Sequence, residues 1–131
     1  MAITFTWRGA FHNTEVELLH ADGFERDPSG HDWQGQVTRH SLGWVCARDS
    51  SRLVGFVNVA WDGGAHAFLL DTVVAADLRR QGVGAELVGV AATHARAAGC
   101  GWLHVDFEER LRGFYLGSCD FRSTPAGLRE L

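Results

Sequence analysis

The period of the apolar residues changes partway along this chain, and that change constrains the fold more than any other feature. "AFLLDTVV" (67–74) is a run of strand character, rich in branched and aromatic side chains. From Val83 the apolar residues fall instead at Leu87, Val90 and Ala91, which fits a helix over 82–98 with one buried face. Gly99 is placed to end that helix, and "WLHVDF" (102–107) reads as another strand. Strand, helix and strand in this order make a crossover unit, and a right-handed crossover sets its two strands parallel.

Upstream lie two more strand-like segments, "GWVCAR" (43–48) and "RLVGFVNVAW" (52–61). Short turn signals, "DSS" and "WDGGAH", join them to 67–74, so the three predict an antiparallel meander. "HNTEVELLHA" predicts a short helix capped by Asn13 or Thr14, with Glu15 and Glu17 in its first turn. The stretch 22–35, "DGFERDPSGHDWQG", reads mostly as loop. A second helix over about 108–118 and a short terminal strand near "FRST" or "GLREL" complete the expected order.

The 131 residues suit one domain, 1–131. Hydrophobic residues make up 46% and charged residues 21%, enough to bury a core. A net charge of −4 argues against a nucleic-acid or anionic-membrane partner. The start, "MAITFTWRGA", lacks the pattern of a signal peptide, and no apolar run is long enough to span a membrane. Three widely spaced cysteines fit reduced thiols and a cytoplasmic location. No H-E-x-x-H or C-x-x-C pattern is present, so no metal site is expected.

Between the third strand and the long helix stands "DLRRQGVGAELV" (77–88). A helix start carries unpaired N–H groups and about half a positive charge. Gly82 and Gly84 let the backbone curve and let a ligand come close, while Arg79 and Arg80 can fork onto phosphate oxygens. The same residues also fit a tight turn with solvated arginines. A dinucleotide fingerprint is rejected, because Leu87 stands at the third glycine position and "AADLRRQ" separates the glycines from the strand. The P-loop signature is absent.

"VVAADLRRQGVGAELV" resembles the coenzyme A signature of the GNAT N-acetyltransferase superfamily, R/Q-x-x-G-x-G/A, with Arg79, Gly82 and Gly84 at its three positions. "FYLGSCDF" (114–121) is similar to the family's later F-Y-x-x-x-G-F stretch, with a spacing that departs by one residue and Asp120 where glycine is common. Ala76 stands where the family often has proline. The likeness is strong over about residues 43–122. It implies an α/β (α+β) fold: a mixed, largely antiparallel central sheet with a strand–helix–strand coenzyme A unit and helices on both faces. It also implies acetyl-CoA as cosubstrate. The pantetheine arm would pair with the backbone of Thr72, Val73 and Val74, and the amides of Gln81, Gly82, Val83, Gly84 and Ala85 would hold the pyrophosphate beside Arg79 and Arg80.

Acetyl transfer needs a neutral amine, and at neutral pH only about one lysine-like amine in a thousand is neutral. That deficit, worth roughly 4 kcal/mol, is within reach of a base and positioning. Tyr115, the only tyrosine, matches the family's general acid; otherwise it is a core aromatic. Asp71 interrupts an apolar strand, and an acid there must face solvent or a cleft. Several GNAT enzymes carry a carboxylate at this place, as base or amine ligand. Asp106, Glu108 and Glu109 follow the next strand and would bind a cationic acceptor or simply favour a helix start. His104 is a further base candidate, Cys119 is expected to pack, and His31, Asp32 and Trp33 would form part of the acceptor wall.

The expected activity is direct acetyl transfer to the primary amine of a small molecule or a protein. The alternative is a non-catalytic CoA-binding module, a sensor or structural partner. Pairing through a sheet edge or terminal strand would make a homodimer, by analogy with the fold.

Overall fold

The computed structural model describes residues 2–131. Strands β1 (Ile3–Trp7), β2 (Ser41–Asp49), β3 (Arg52–Trp61), β4 (His66–Val74) and β5 (Trp102–His104) form one sheet in sequence order. The first three pairings are antiparallel and the last is parallel, as the meander and the crossover require. Helices α1 (Asn13–Gly23) and α2 (Trp33–His40) pack on one face and α3 (Val83–Ala97) on the other. The mixed sheet and two-sided helices match the expected fold class.

The strand alternation builds both cores at once. On β3, Val57 and Val59 join Leu87, Val88, Ala91 and Ala95 of α3. Phe56 turns the other way, onto Val16 of α1 and Trp33 and Val37 of α2. Phe56 and Leu87 are fully buried, and each contributes about 2–3 kcal/mol by leaving water. Past the C-cap Ala98, Gly99 takes φ +97° while Cys100 N–H donates to Ala95 O and Gly99 N–H to Arg96 O. This left-handed residue satisfies two end carbonyls that a continued helix would have used.

Several boundaries differ from the sequence reading. The N-cap of α1 is His12, whose backbone N–H donates to the Glu15 side chain; Asn13 and Thr14 lie inside the helix. The last three residues of the expected loop 22–35 open helix α2, which runs on to His40 and is started by the Asp32 carboxylate accepting from Gly35 N–H. Strand β1 had no counterpart in the reading. β5 ends at His104, short of 107, and the helix expected over 108–118 is a 3₁₀ turn, Glu109–Leu111, followed by a π-helical turn, Gly113–Ser118. No strand follows His104 among the described residues. "FRST" and "GLREL" are mainly exposed and lack the apolar alternation that a buried strand face needs.

Candidate active site

β4 and β5 stay together for only three residue pairs, His66 with Trp102, Ala67 with Leu103 and Phe68 with His104. β4 continues to Val74 along β3, so its other edge, from Leu69 onward, has no strand partner. Backbone groups alternate between the two edges along Thr72, Val73 and Val74, so Ala75 N–H donates to Val54 O of β3 while Val74 O turns to the unpaired edge, where the gap opens, and accepts from Arg79 Nε at 3.3 Å.

At the end of this edge α3 begins. Its N-cap is Gly82, at φ +83°, with no side chain capping it. The N–H groups of Val83, Gly84 and Ala85 fall in the first turn, where no preceding helical carbonyl can accept them. A Cβ added to Gly82 would meet nothing within 4 Å, so the space above this cap is open. Arg79 and Arg80 are exposed, and no ion pair among the described residues involves either. Asp77 is the acid nearest the two arginines in sequence, but Arg52 takes it with contacts of 2.8 and 2.9 Å. The helix end and the two arginines therefore bring positive charge to the cap, with the acid Glu86 beside it in the first turn of α3. These are the features a pyrophosphate needs: free amides, an open backbone and two guanidinium groups outside any ion pair, although Arg79 Nε also donates to Val74 O.

Tyr115 lies in the π-helical turn and is 6% exposed. It stacks on Phe107 at 5.1 Å and meets Phe114 and Phe121 edge-on. Burial pushes its hydroxyl above the usual value, against a smaller lowering by the Thr72 side chain. Thr72 belongs to the part of β4 beyond its pairing with β5, so the phenol lies against that stretch from within the core.

Asp71 sits at a bulge. Phe56 pairs with Val73 and Asn58 with Leu70, which leaves Asp71 and Thr72 opposite one residue of β3. Asp71 takes φ +60°, unusual for a residue with a side chain. The extra residue resets the alternation, so Asp71 turns toward α1 while Thr72 turns toward Tyr115. Asp71 Oδ1 lies 3.0 Å from His20 Nε2, and Oδ2 accepts from Asn58 Nδ2 at 3.3 Å. Arg26 points Nη2 and Nε at His20 Nδ1, at 2.9 and 3.2 Å. The buried Glu17 holds Arg26 by two contacts of 2.7 and 2.8 Å. It also accepts from Trp33 Nε1 at 2.9 Å, and these donors hold its carboxyl far below the usual range.

The acetyltransferase (GNAT) family profile matches residues 7–121. The chain belongs to that family. No curated protein sequence matches it. Among solved structures, a GNAT-family acetyltransferase of Streptococcus pneumoniae is 23% identical, with TM-score 0.70 and coverage of 98% of this chain and 100% of that one. Glucosamine-6-phosphate N-acetyltransferase of Arabidopsis thaliana is 17% identical, with TM-score 0.71 and 98% of each chain covered. An aminoglycoside acetyltransferase from an uncultured soil metagenomic sample, in complex with sisomicin, is 12% identical, with TM-score 0.79 and coverage of 98% and 94%. These likenesses share the GNAT fold, and the chain carries an acetyltransferase domain of that type.

The other residues singled out in the sequence have different surroundings, and His104 closes the last β4–β5 pair. Trp33 is 5% exposed, so it backs the acceptor side through Glu17 and does not line it. Glu108 is bound to Arg110 and Glu109 to Arg112, while Asp106 is exposed without an ion pair. His104 Nε2 lies 2.7 Å from His66 Nδ1, and its ring stacks on Phe68. Burial pushes the Cys119 thiol up to about 11, which suits packing rather than nucleophilic attack. No cluster of three metal-ligating side chains occurs among the described residues, and no helix there is long and apolar enough to cross a membrane. Sequence reasoning missed His20, Arg26 and Glu17. Their sequence signal was weak: two polar residues on a helix and one in a loop.

Proposed function

We propose that residues 1–131 form a single acetyl-CoA-dependent N-acetyltransferase domain that passes an acetyl group directly to a primary amine. The observation that carries this reading is the parting of β4 from β5 after Phe68, beside the uncapped start of α3. Thr72, Val73 and Val74 would pair with the coenzyme's amide-bearing arm. The amides from Gln81 to Ala85, with Arg79 and Arg80, would hold its pyrophosphate. Acetyl-CoA supplies the activated acyl group as a thioester.

The residues of this chain divide the proton work. An amine that attacks the acyl carbon must lose a proton, and the Asp71 carboxylate accepts it, directly or through a water. As the carbon–sulfur bond breaks, the thiolate needs a proton, and the Tyr115 hydroxyl supplies it. Its buried position keeps Tyr115 protonated at neutral pH. Both groups border the same stretch of β4, through Asp71 itself and through Thr72. Asp106, beyond the end of β5 and outside any ion pair among the described residues, adds negative charge that favours a cationic acceptor, whereas Arg110 offsets that of Glu108.

The test is release of free thiol from acetyl-CoA with glucosamine 6-phosphate, sisomicin and a lysine-ended peptide as acceptors. The first two follow the named substrate and ligand of the Arabidopsis and metagenomic neighbours. Amine-dependent thiol release supports catalysis. Tight acetyl-CoA binding with no release for any amine would favour the non-catalytic module.

A further inference from the structure

Both nitrogens of the His20 ring are committed. Arginine has only donors, so the two contacts from Arg26 require a bare Nδ1. The ring proton then sits on Nε2 and points at Asp71 Oδ1, 3.0 Å away. Phe24 stacks on the ring at 4.2 Å and Trp33 lies against it at 4.8 Å. Arg26 is fixed in turn by Glu17, which also accepts from Ser29 N–H and Trp33. Asn58, 2% exposed, holds the other carboxylate oxygen and is itself bonded to the Ser41 hydroxyl. This chain of contacts is long for a purely structural task. It ends on a carboxylate in a strained backbone position at the edge of the gap, and each oxygen keeps a lone pair free.

We infer that His20 is a positioning residue for acetyl transfer: held in one tautomer by Arg26, its Nε2–H aims the Asp71 carboxylate at the acceptor amine. His20 is not itself the base, because neither ring nitrogen is free to take a proton from substrate. The inference rests on Asp71 as the proton acceptor proposed above.

Two measurements test it. Long-range proton–nitrogen NMR spectra of the native chain report the tautomer without any acceptor. They should show His20 with a bare Nδ1 and a protonated Nε2, and Arg26→Lys should release it to a mixture. A protonated Nδ1 or a mixture in the native chain overturns the inference.

The second measurement is thiol release from acetyl-CoA, with the three amines above or with water as acceptor. His20→Phe should lower kcat roughly ten- to hundredfold with the KM for acetyl-CoA unchanged. His20→Gln keeps a donor and should recover most of the rate. The double variant His20→Phe with Asp71→Asn should be no slower than Asp71→Asn alone, since both act through one carboxylate. Multiplying losses would overturn the inference. If Asp71→Asn is slow but both His20 variants run at the native rate, the inference falls and the role of Asp71 stands. Full activity in Asp71→Asn removes Asp71 and His20 together.

Discussion

Gly84 and Phe114 are in such close contact that a Cβ on the glycine would lie 3.0 Å from Phe114 Cζ and 3.1 Å from Cε1. Gly84 belongs to the first turn of α3, and Phe114 adjoins Tyr115 with ring centroids 4.8 Å apart. The loop proposed to hold phosphate and the proposed proton donor are therefore one packed unit. The second glycine of the signature is needed for that contact.

Gly84→Ala should change stability little. Helix propensity favours alanine by about 1 kcal/mol, and the overlap with Phe114 offsets it. Gly84→Val has no such balance and should lose about 1–3 kcal/mol. Both should slow turnover by displacing Phe114 and with it Tyr115. Denaturant midpoints and thiol-release rates check this, and native turnover in Gly84→Val would break the link between the two segments.

Tyr115→Phe should lower kcat by about a hundredfold or more while leaving acetyl-CoA affinity nearly intact. Because burial raises the hydroxyl, the acid form persists through neutral and mildly alkaline pH and is lost only above the usual value near 10. The rate of the native chain should thus show no loss assignable to Tyr115 below about pH 10. A Tyr115→Phe variant with native kcat would remove the phenol from the reaction.

Acid should unfold the chain through α1. Its hydrogen bonds with Arg48 are the largest cause holding Glu15 at about 2, and Arg26 holds Glu17 lower still. Both folded values lie below the ordinary 4.5, so the folded state resists protonation more than the unfolded state does. The stability this provides is complete above about pH 5 and is lost as pH falls toward 2. Denaturant midpoints measured across that window should fall steadily. Glu15→Gln, with one such group removed, should flatten part of the slope; an unchanged slope would mean the Arg48 pair contributes nothing.

The parts of the fold visible in the sequence are those with a local period. The meander and the β4–α3–β5 unit show it in Val57, Val59, Leu69, Leu87 and Ala91, and all of these are buried. Ile3, Phe5 and Trp7 alternate as a strand should, but five residues near the start of the chain are a short signal. Helix α2 has only eight residues and a glycine, and its Asp32 cap and Trp33–Val37 spacing are diluted by the polar loop before it. The gap beside β4 follows from where β5 stops pairing, which no residue pattern marks. Asp71 was conspicuous as an acid in an apolar strand. Its bulge and its partner His20, 51 residues away in sequence, depend on tertiary packing.

The uncapped start of α3 is proposed to hold the pyrophosphate of acetyl-CoA. Calorimetric titration of acetyl-CoA into the native chain and into Gly82→Glu, with NADH and ATP as controls, tests it most directly. A Cβ at Gly82 meets no protein atom, so beyond the strain of φ +83° the glutamate acts on whatever occupies the open space. Acetyl-CoA alone should bind the native chain, and Gly82→Glu, still folded, should abolish the heat of binding. Equal affinity in both proteins, or no binding to the native chain, would contradict the proposal.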